Sequence, residues 1–259
     1  MSIRSALFAV LLILLLAPST SRAQSELDYW QVLAMDRSAF RLKTVALLPA
    51  GEQAGQILVY GDRYGYLRAM QMTGDGAFEV WRSRILDGQV YEVLVEDLEE
   101  GDGRVEILAR TQGGRLYVYD DQFNPRWENL REDYLEISAM AVANMDDDPA
   151  YEIVLLGDGY IDYYDGADFT RQFRSTQTYE ATEMVVGNVT PDATLEIVLN
   201  SGWVLDAVRV EPEWSTEAFG PIIELLDIDG DGLEEVLGYV SNQAMRIYDV
   251  DEQQEKTVR

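Results

Sequence analysis

Residues 144–165 read NMDDDPAYEIVLLGDGYIDYYD. An acidic loop runs into a glutamate, Glu152, and an apolar run follows. Gly157-Asp158-Gly159 then turns the chain into an aromatic stretch that ends on Asp165. The apolar run is short and rich in β-branched residues, which reads as a strand, and Asp-Gly between two such runs is a tight-hairpin signal. The same succession recurs along the chain. Its other copies are PAGEQAGQILVYGDRYGYLRAM (49–70), DLEEGDGRVEILARTQGGRLYVYD (97–120), NVTPDATLEIVLNSGWVLDAV (188–208) and DIDGDGLEEVLGYVSNQAMRIYD (227–249). The residues that follow the loops, Gln56, Glu106, Glu152, Glu196 and Glu235, are spaced from 50 residues down to 39.

A period of this length filled with strands predicts an all-β fold, a β-propeller of about five four-stranded blades. Trp81, Trp127, Phe173 and Trp214 mark the fourth strand of four blades. After Asp249 no tryptophan remains, whereas Trp30 precedes the first repeat. Residues 28–35 are therefore expected to supply the outermost strand of the last blade and to close the ring, which removes exposed edges.

The beginning of the chain is read apart from the fold. Arg4, the apolar run 6–17 and the small residues of Ser21-Arg22-Ala23 form the pattern of a secretory signal peptide over residues 1–23. The propeller then occupies residues 24–259 as one domain, secreted or periplasmic. No later apolar stretch is long enough to span a membrane. With no cysteine, no disulfide framework is available.

A net charge of −27, with Lys43 and Lys256 the only lysines, makes nucleic acid and anionic membranes poor partners. The acidity suits divalent cations, and equally a surface adapted to high salt. Histidine is absent, which removes Ser-His-Asp and Cys-His chemistry and histidine-containing zinc sites. The tyrosines at 117, 119, 163, 164 and 248 recur at one strand position and are read as blade packing.

The acidic loops carry the chemistry. In DIDGDGLEE, Asp227, Asp229 and Asp231 stand at alternate positions. Gly232 permits a sharp turn, the Leu233 carbonyl comes next, and Glu235 returns from the strand. Hard oxygen donors at this spacing can wrap a calcium ion. An EF-hand needs glutamate at position 12, where this chain has Gly238. Asn144, Asp146, Asp148 and Glu152 repeat the spacing, with Pro149 in place of the glycine. Asn188, Thr190, Asp192 and Glu196 offer fewer charges, and Asp97, Glu99, Asp102 and Glu106 span one extra residue. The first loop, with Leu48, Ala50, Glu52 and Gln56 at the matching places, is expected to have lost any ion.

The Asp-x-Asp-x-Asp-Gly-x-x-Glu loop before an apolar strand, followed by glycine and an aromatic-Asp strand, resembles the FG-GAP/VCBS repeat. That repeat builds the propeller head of integrin alpha chains and many secreted bacterial proteins. The resemblance covers about residues 43–259, although the literal Phe-Gly and Gly-Ala-Pro marks are missing. It implies a propeller with loop-bound Ca2+, used mainly for binding rather than catalysis; the ion is expected to be structural, the partner an extracellular or envelope protein or a glycan, and the chain a non-enzymatic monomer. Two other readings stay open. GGRLYVYD also suits a metal-free quinoprotein-like envelope scaffold, and the abundance of carboxylates admits a polysaccharide hydrolase or lyase.

Overall fold

A computed structural model describes residues 45–48 and 56–256, apart from positions 75, 100, 147, 193 and 241–243. Its strands form five four-stranded antiparallel sheets, each a meander in chain order. The first blade comprises β1 (Val45–Leu48), β2 (Ile57–Gly61), β3 (Leu67–Thr73) and β4 (Gly76–Arg82). The second comprises β5 (Val90–Glu96), β6 (Glu106–Thr111), β7 (Leu116–Tyr119) and β8 (Pro125–Glu128). The third has β9 (Ile137–Ala143), β10 (Glu152–Gly157), β11 (Tyr160–Tyr164) and β12 (Arg171–Arg174). The fourth has β13 (Met184–Gly187), β14 (Glu196–Leu199), β15 (Trp203–Asp206) and β16 (Glu211–Ser215). The fifth has β17 (Ile222–Leu226), β18 (Glu235–Val240), β19 (Ala244–Asp249) and β20 (Gln254–Lys256). About five blades of four strands were expected from the repeat, and five are found among the described residues. Among the described residues no helix is long and apolar enough to cross a membrane.

The middle strands show why the repeat reads as it does. Every residue of β6 and β10 is buried, because a neighbouring blade covers each face of the sheet. Such strands read as continuous apolar runs rather than alternating ones. The Gly157–Tyr160 hairpin turns through Asp158 and Gly159 at φ of 51° and 83°. Positive φ at both central residues is the requirement of a type I′ turn, which is why Asp-Gly stands there.

Packing lies between blades, in four apolar clusters that join the first to the second, the second to the third, the third to the fourth and the fourth to the fifth. The expected outer-strand aromatics sit at these joints. Trp81 stands edge-on to Tyr119 of the next blade with centroids 5.3 Å apart. Trp127 lies 5.4 Å from Tyr164, and Trp214 4.7 Å from Tyr248.

Two expectations are corrected. Beside β19 of the last blade stands β20, with Ile247, Tyr248 and Asp249 paired to Lys256, Glu255 and Gln254. The C-terminal stretch, despite lacking a tryptophan, fills the place assigned to residues 28–35. Those residues and the signal-peptide segment lie outside the described residues. In the first blade, Gly61 pairs with Leu67 as Arg110 pairs with Leu116 in the second. Counting back along the strands, Ile57 and not Gln56 occupies the place of Glu106. No carboxylate stands at that position in the first blade.

Candidate metal centre

In blades two to five the first and second strands are joined by the acidic loop, and the second strand opens on a glutamate. Glu106, Glu152, Glu196 and Glu235 are all buried, at 3% exposure or less. Each curls back over its own loop and accepts a backbone N–H. Glu106 Oε2 accepts from Leu98 N at 3.2 Å, and Glu152 Oε2 from Met145 N at 2.6 Å. Glu196 Oε2 accepts from Val189 N at 2.9 Å, and Glu235 Oε2 from Ile228 N at 2.7 Å. The recurrent glutamate therefore staples its loop with one oxygen. What the other oxygen meets differs from blade to blade.

In the third blade it takes no hydrogen bond from the described residues. Glu152 Oε1 is buried without a hydrogen-bond partner among the described residues. Asp146, Asp148 and Glu152 each offer an oxygen within 4.8 Å of the others, a separation that hard ligands around one cation adopt. The loop is prearranged by its own aspartates. Asp146 Oδ1 accepts Asp148 N at 2.9 Å, and Asp148 Oδ1 accepts Ala150 N at 2.8 Å. The Asn144 amide donates to the Asp148 carbonyl at 3.3 Å, so Asn144 ties the loop across its mouth. Burial, with repulsion from Asp146 and Asp148, holds the Glu152 carboxyl above its ordinary pKa; the Met145 N–H opposes this. A divalent cation would reverse that balance.

In the fifth blade, Asp227, Asp229 and Glu235 are brought together within the same 4.8 Å. Asp227 accepts Gly230 N at 2.7 Å and Gly232 N at 3.2 Å, with both glycines at positive φ. Asp231 Oδ1 accepts Leu233 N at 2.8 Å, and Asp231 does not belong to the converging trio. The group already has a cation beside it. Lys256 Nζ lies 3.2 Å from Glu235 Oε1, 2.7 Å from Asp249 Oδ2, and in contact with Asp229. Hydrogen bonding from Lys256 keeps Asp229 below its ordinary pKa.

The fourth blade converges Asp192, Glu196 and Glu213. Glu196 Oε1 there accepts from Thr190 Oγ1 at 2.8 Å. In the second, Arg126 Nη1 lies 2.5 Å from Glu106 Oε1 and Nη2 3.1 Å from Glu99 Oε1. Glu213, Arg126, Asp249 and Lys256 were not found from the loops because they come from other strands. A signal existed, since Arg126 and Glu213 each precede the outer-strand tryptophan already recognised in the repeat.

No protein-family profile matches the sequence, and no curated protein matches it. Solved structures do. The crystal structure of the V. cholerae biofilm matrix protein Bap1 is similar with a TM-score of 0.57 at 20% identity, over 80% of this chain and 37% of that one. The chain thus spans little more than a third of Bap1. The Saccharomyces cerevisiae Sqt1 structure matches with a TM-score of 0.56 at 10% identity, over 78% of this chain and 57% of that one. The Neurospora crassa Pan2 WD40 domain matches with a TM-score of 0.54 at 14% identity, over 83% and 64%. At these identities the likeness concerns the fold. The fold is a β-propeller.

Proposed function

We propose that this chain is an exported, non-enzymatic β-propeller of the FG-GAP/VCBS kind, which holds a structural calcium ion in the third-blade loop and serves as a binding or scaffold module. The observation that carries the metal is Glu152 Oε1, a buried carboxylate oxygen with no hydrogen-bond partner among the described residues, on a side chain whose carboxylate converges with those of Asp146 and Asp148. Unpaired buried charge is costly, and a cation in this loop offsets that cost. Asp146, Asp148 and Glu152 would hold the ion, with further oxygens from the backbone or water. The ion's contribution is to fix the loop and the entry of β10.

The binding role is supported by fold and composition together. Propellers present broad faces built from loops. BBS1N, crystallised in complex with ARL6, is a propeller-like neighbour with a TM-score of 0.52 at 13% identity. The absence of histidine and cysteine favours binding over nucleophilic catalysis. The partner is an envelope or extracellular protein or glycan, and the export reading rests on Arg4 and the apolar run 6–17. A metal-free scaffold is the second reading, favoured by Arg126 and Lys256 on the carboxylates of two loops.

Thermal unfolding in calcium, magnesium or chelator, at matched ionic strength, tests the reading. At calcium a hundredfold above Kd the stabilisation is about 2.7 kcal/mol, a rise in midpoint of roughly 5–10 °C for a domain this size. Glu152→Gln is expected to abolish the calcium-specific part. Equal responses to calcium, magnesium and sodium, unchanged by the substitution, would leave the carboxylates as a salt-adapted surface and favour the metal-free scaffold.

A further inference from the structure

The acidic loops differ less in their own sequence than in what the outer strand of the same blade brings to them. In the second blade the residue before Trp127 is Arg126, and it spans Glu106 and Glu99. In the fifth, Lys256 on β20 faces Asp229, Glu235 and Asp249. In the third, the residue before Phe173 is Gln172, whose amide turns to Asp165 at 3.2 Å and carries no charge to Glu152. In the fourth it is Glu213, which adds a carboxylate, but Arg209 Nη2 already stands 3.6 Å from its Oε1 and Glu196 Oε1 is bonded to Thr190, so this loop too has its partners within the blade.

We propose that Lys256 and Arg126 are tethered counter-cations that stand in for the metal in the fifth and second blades. The outer strand, and not the loop motif, then selects the blade that takes calcium. The loop with the most complete motif, DIDGDGLEE, stays metal-free while Lys256 is in place. The inference rests on the reading that the third-blade loop holds calcium.

The physical case is one of charge and donors. An ammonium has three N–H donors and no acceptor. Lys256 Nζ has three carboxylates around it, two of them buried: Glu235 at 3% exposure and Asp249 at 2%. A calcium ion entering here must break all three contacts and return the ammonium to water. It must also compete with a cation whose effective concentration is set by a strand already paired to β19. In the third blade a calcium ion displaces no charge. Lys256 further ties β20 to the loop at the other end of its sheet, so this pairing holds the last strand as well.

Calcium titration calorimetry on the whole protein, with folding checked by circular dichroism, tests this. The wild type is expected to take one ion, Glu152→Gln none, Lys256→Met two, and the Lys256→Met, Glu152→Gln double variant one. Lys256→Gln, which keeps an amide donor, replaces the methionine variant if that one does not fold. Two ions in the wild type would overturn the inference. So would one ion that survives Glu152→Gln but is lost in Asp229→Ala, Asp231→Ala, or a folded Lys256 variant that still binds only one. No ion in the wild type but one in Lys256→Met would leave the inference standing and remove the third-blade reading instead. No ion in any variant would remove both.

Discussion

Arg110 Nε lies 2.6 Å from Glu92 Oε2, and both side chains are buried, at 5% and 4% exposure. Arg110 Nη1 also donates to the Ile137 carbonyl at 2.8 Å, from the second blade into the third. This pair fixes one blade joint by a polar contact inside a largely apolar seam. Removing one partner of a buried pair leaves an uncompensated charge, which costs about 3–5 kcal/mol. Arg110→Ala is therefore expected to lower stability by about 3 kcal/mol. Glu92→Gln with Arg110→Met should recover part of the loss, because neither charge is then stranded. Urea unfolding of the two variants beside wild type checks this, and an Arg110→Ala midpoint equal to wild type would count against it.

Gly157 closes β10 under the ring of Tyr134. A Cβ there would stand 2.3 Å from Tyr134 Cδ1 and Cε1. The ring cannot retreat freely, because Tyr134 Oη donates to Asp162 at 2.9 Å and meets Tyr164 Oη at 2.8 Å. Asp162 is in turn held by Arg174 at 2.7 and 2.8 Å. Gly157→Ala is expected to cost about 2–3 kcal/mol through overpacking. Tyr134→Phe keeps the ring and should cost only about 1 kcal/mol. A reversal of that order in thermal melts would mean that the network, and not the contact, limits this joint.

The blade count and strand order were legible because each blade repeats the same solution to the same burial problem. Glu106, Glu152, Glu196 and Glu235 recur because each staples its loop through a backbone N–H. Trp81, Trp127 and Trp214 recur because each covers a joint. The last blade was harder, since Lys256 stands opposite Ile247 where the other blades have an aromatic. A pattern built on tryptophan could not find that strand. The acidic loops were legible as loops, yet their charge balance was not. Arg126 and Lys256 lie twenty or more residues from the glutamates they meet, and only strand pairing brings them there. The orphan oxygen of Glu152 depends on what does not reach it, which a motif cannot show.

Asp120 ends β7 and organises the turn that follows. It accepts Gln122 N at 2.9 Å, Asn124 N at 2.7 Å and Asn124 Nδ2 at 2.9 Å. Burial pushes its pKa up, but the Asn124 side chain and the backbone N–H groups outweigh this and hold it below the ordinary value. A depressed folded pKa gives stability that is present above the unfolded value, about 3.9, and lost as pH falls through the folded one. Asp120→Ala is therefore expected to cost about 1 kcal/mol at pH 7, discounted for partial exposure. The gap should narrow progressively below about pH 4. Paired melts of wild type and variant at pH 7 and pH 3 measure it, and a gap that widens in acid would contradict the assignment.

The same turn in four blades holds a non-glycine residue in the left-handed region: Phe123, Phe169, Val210 and Gln253, at φ of 65°, 61°, 51° and 52°. That conformation costs roughly 1–2 kcal/mol for a residue with a Cβ. Three of the four offset the cost by packing. Phe123 stacks on Trp81 with centroids 4.8 Å apart, and Phe169 on Trp127 at 5.5 Å. Val210 is 5% exposed within the joint of the third and fourth blades. Gln253 is exposed and lies in the short turn before β20, with no ring to cover. Glycine there relieves the strain and removes no buried contact. Gln253→Gly is expected to raise stability by about 0.5–1 kcal/mol after the entropy cost of glycine, whereas Phe123→Gly should lower it by about 2 kcal/mol. Opposite signs for one substitution at equivalent turns would locate the benefit of the strained residue in the aromatic stack; equal signs would place it in the turn itself.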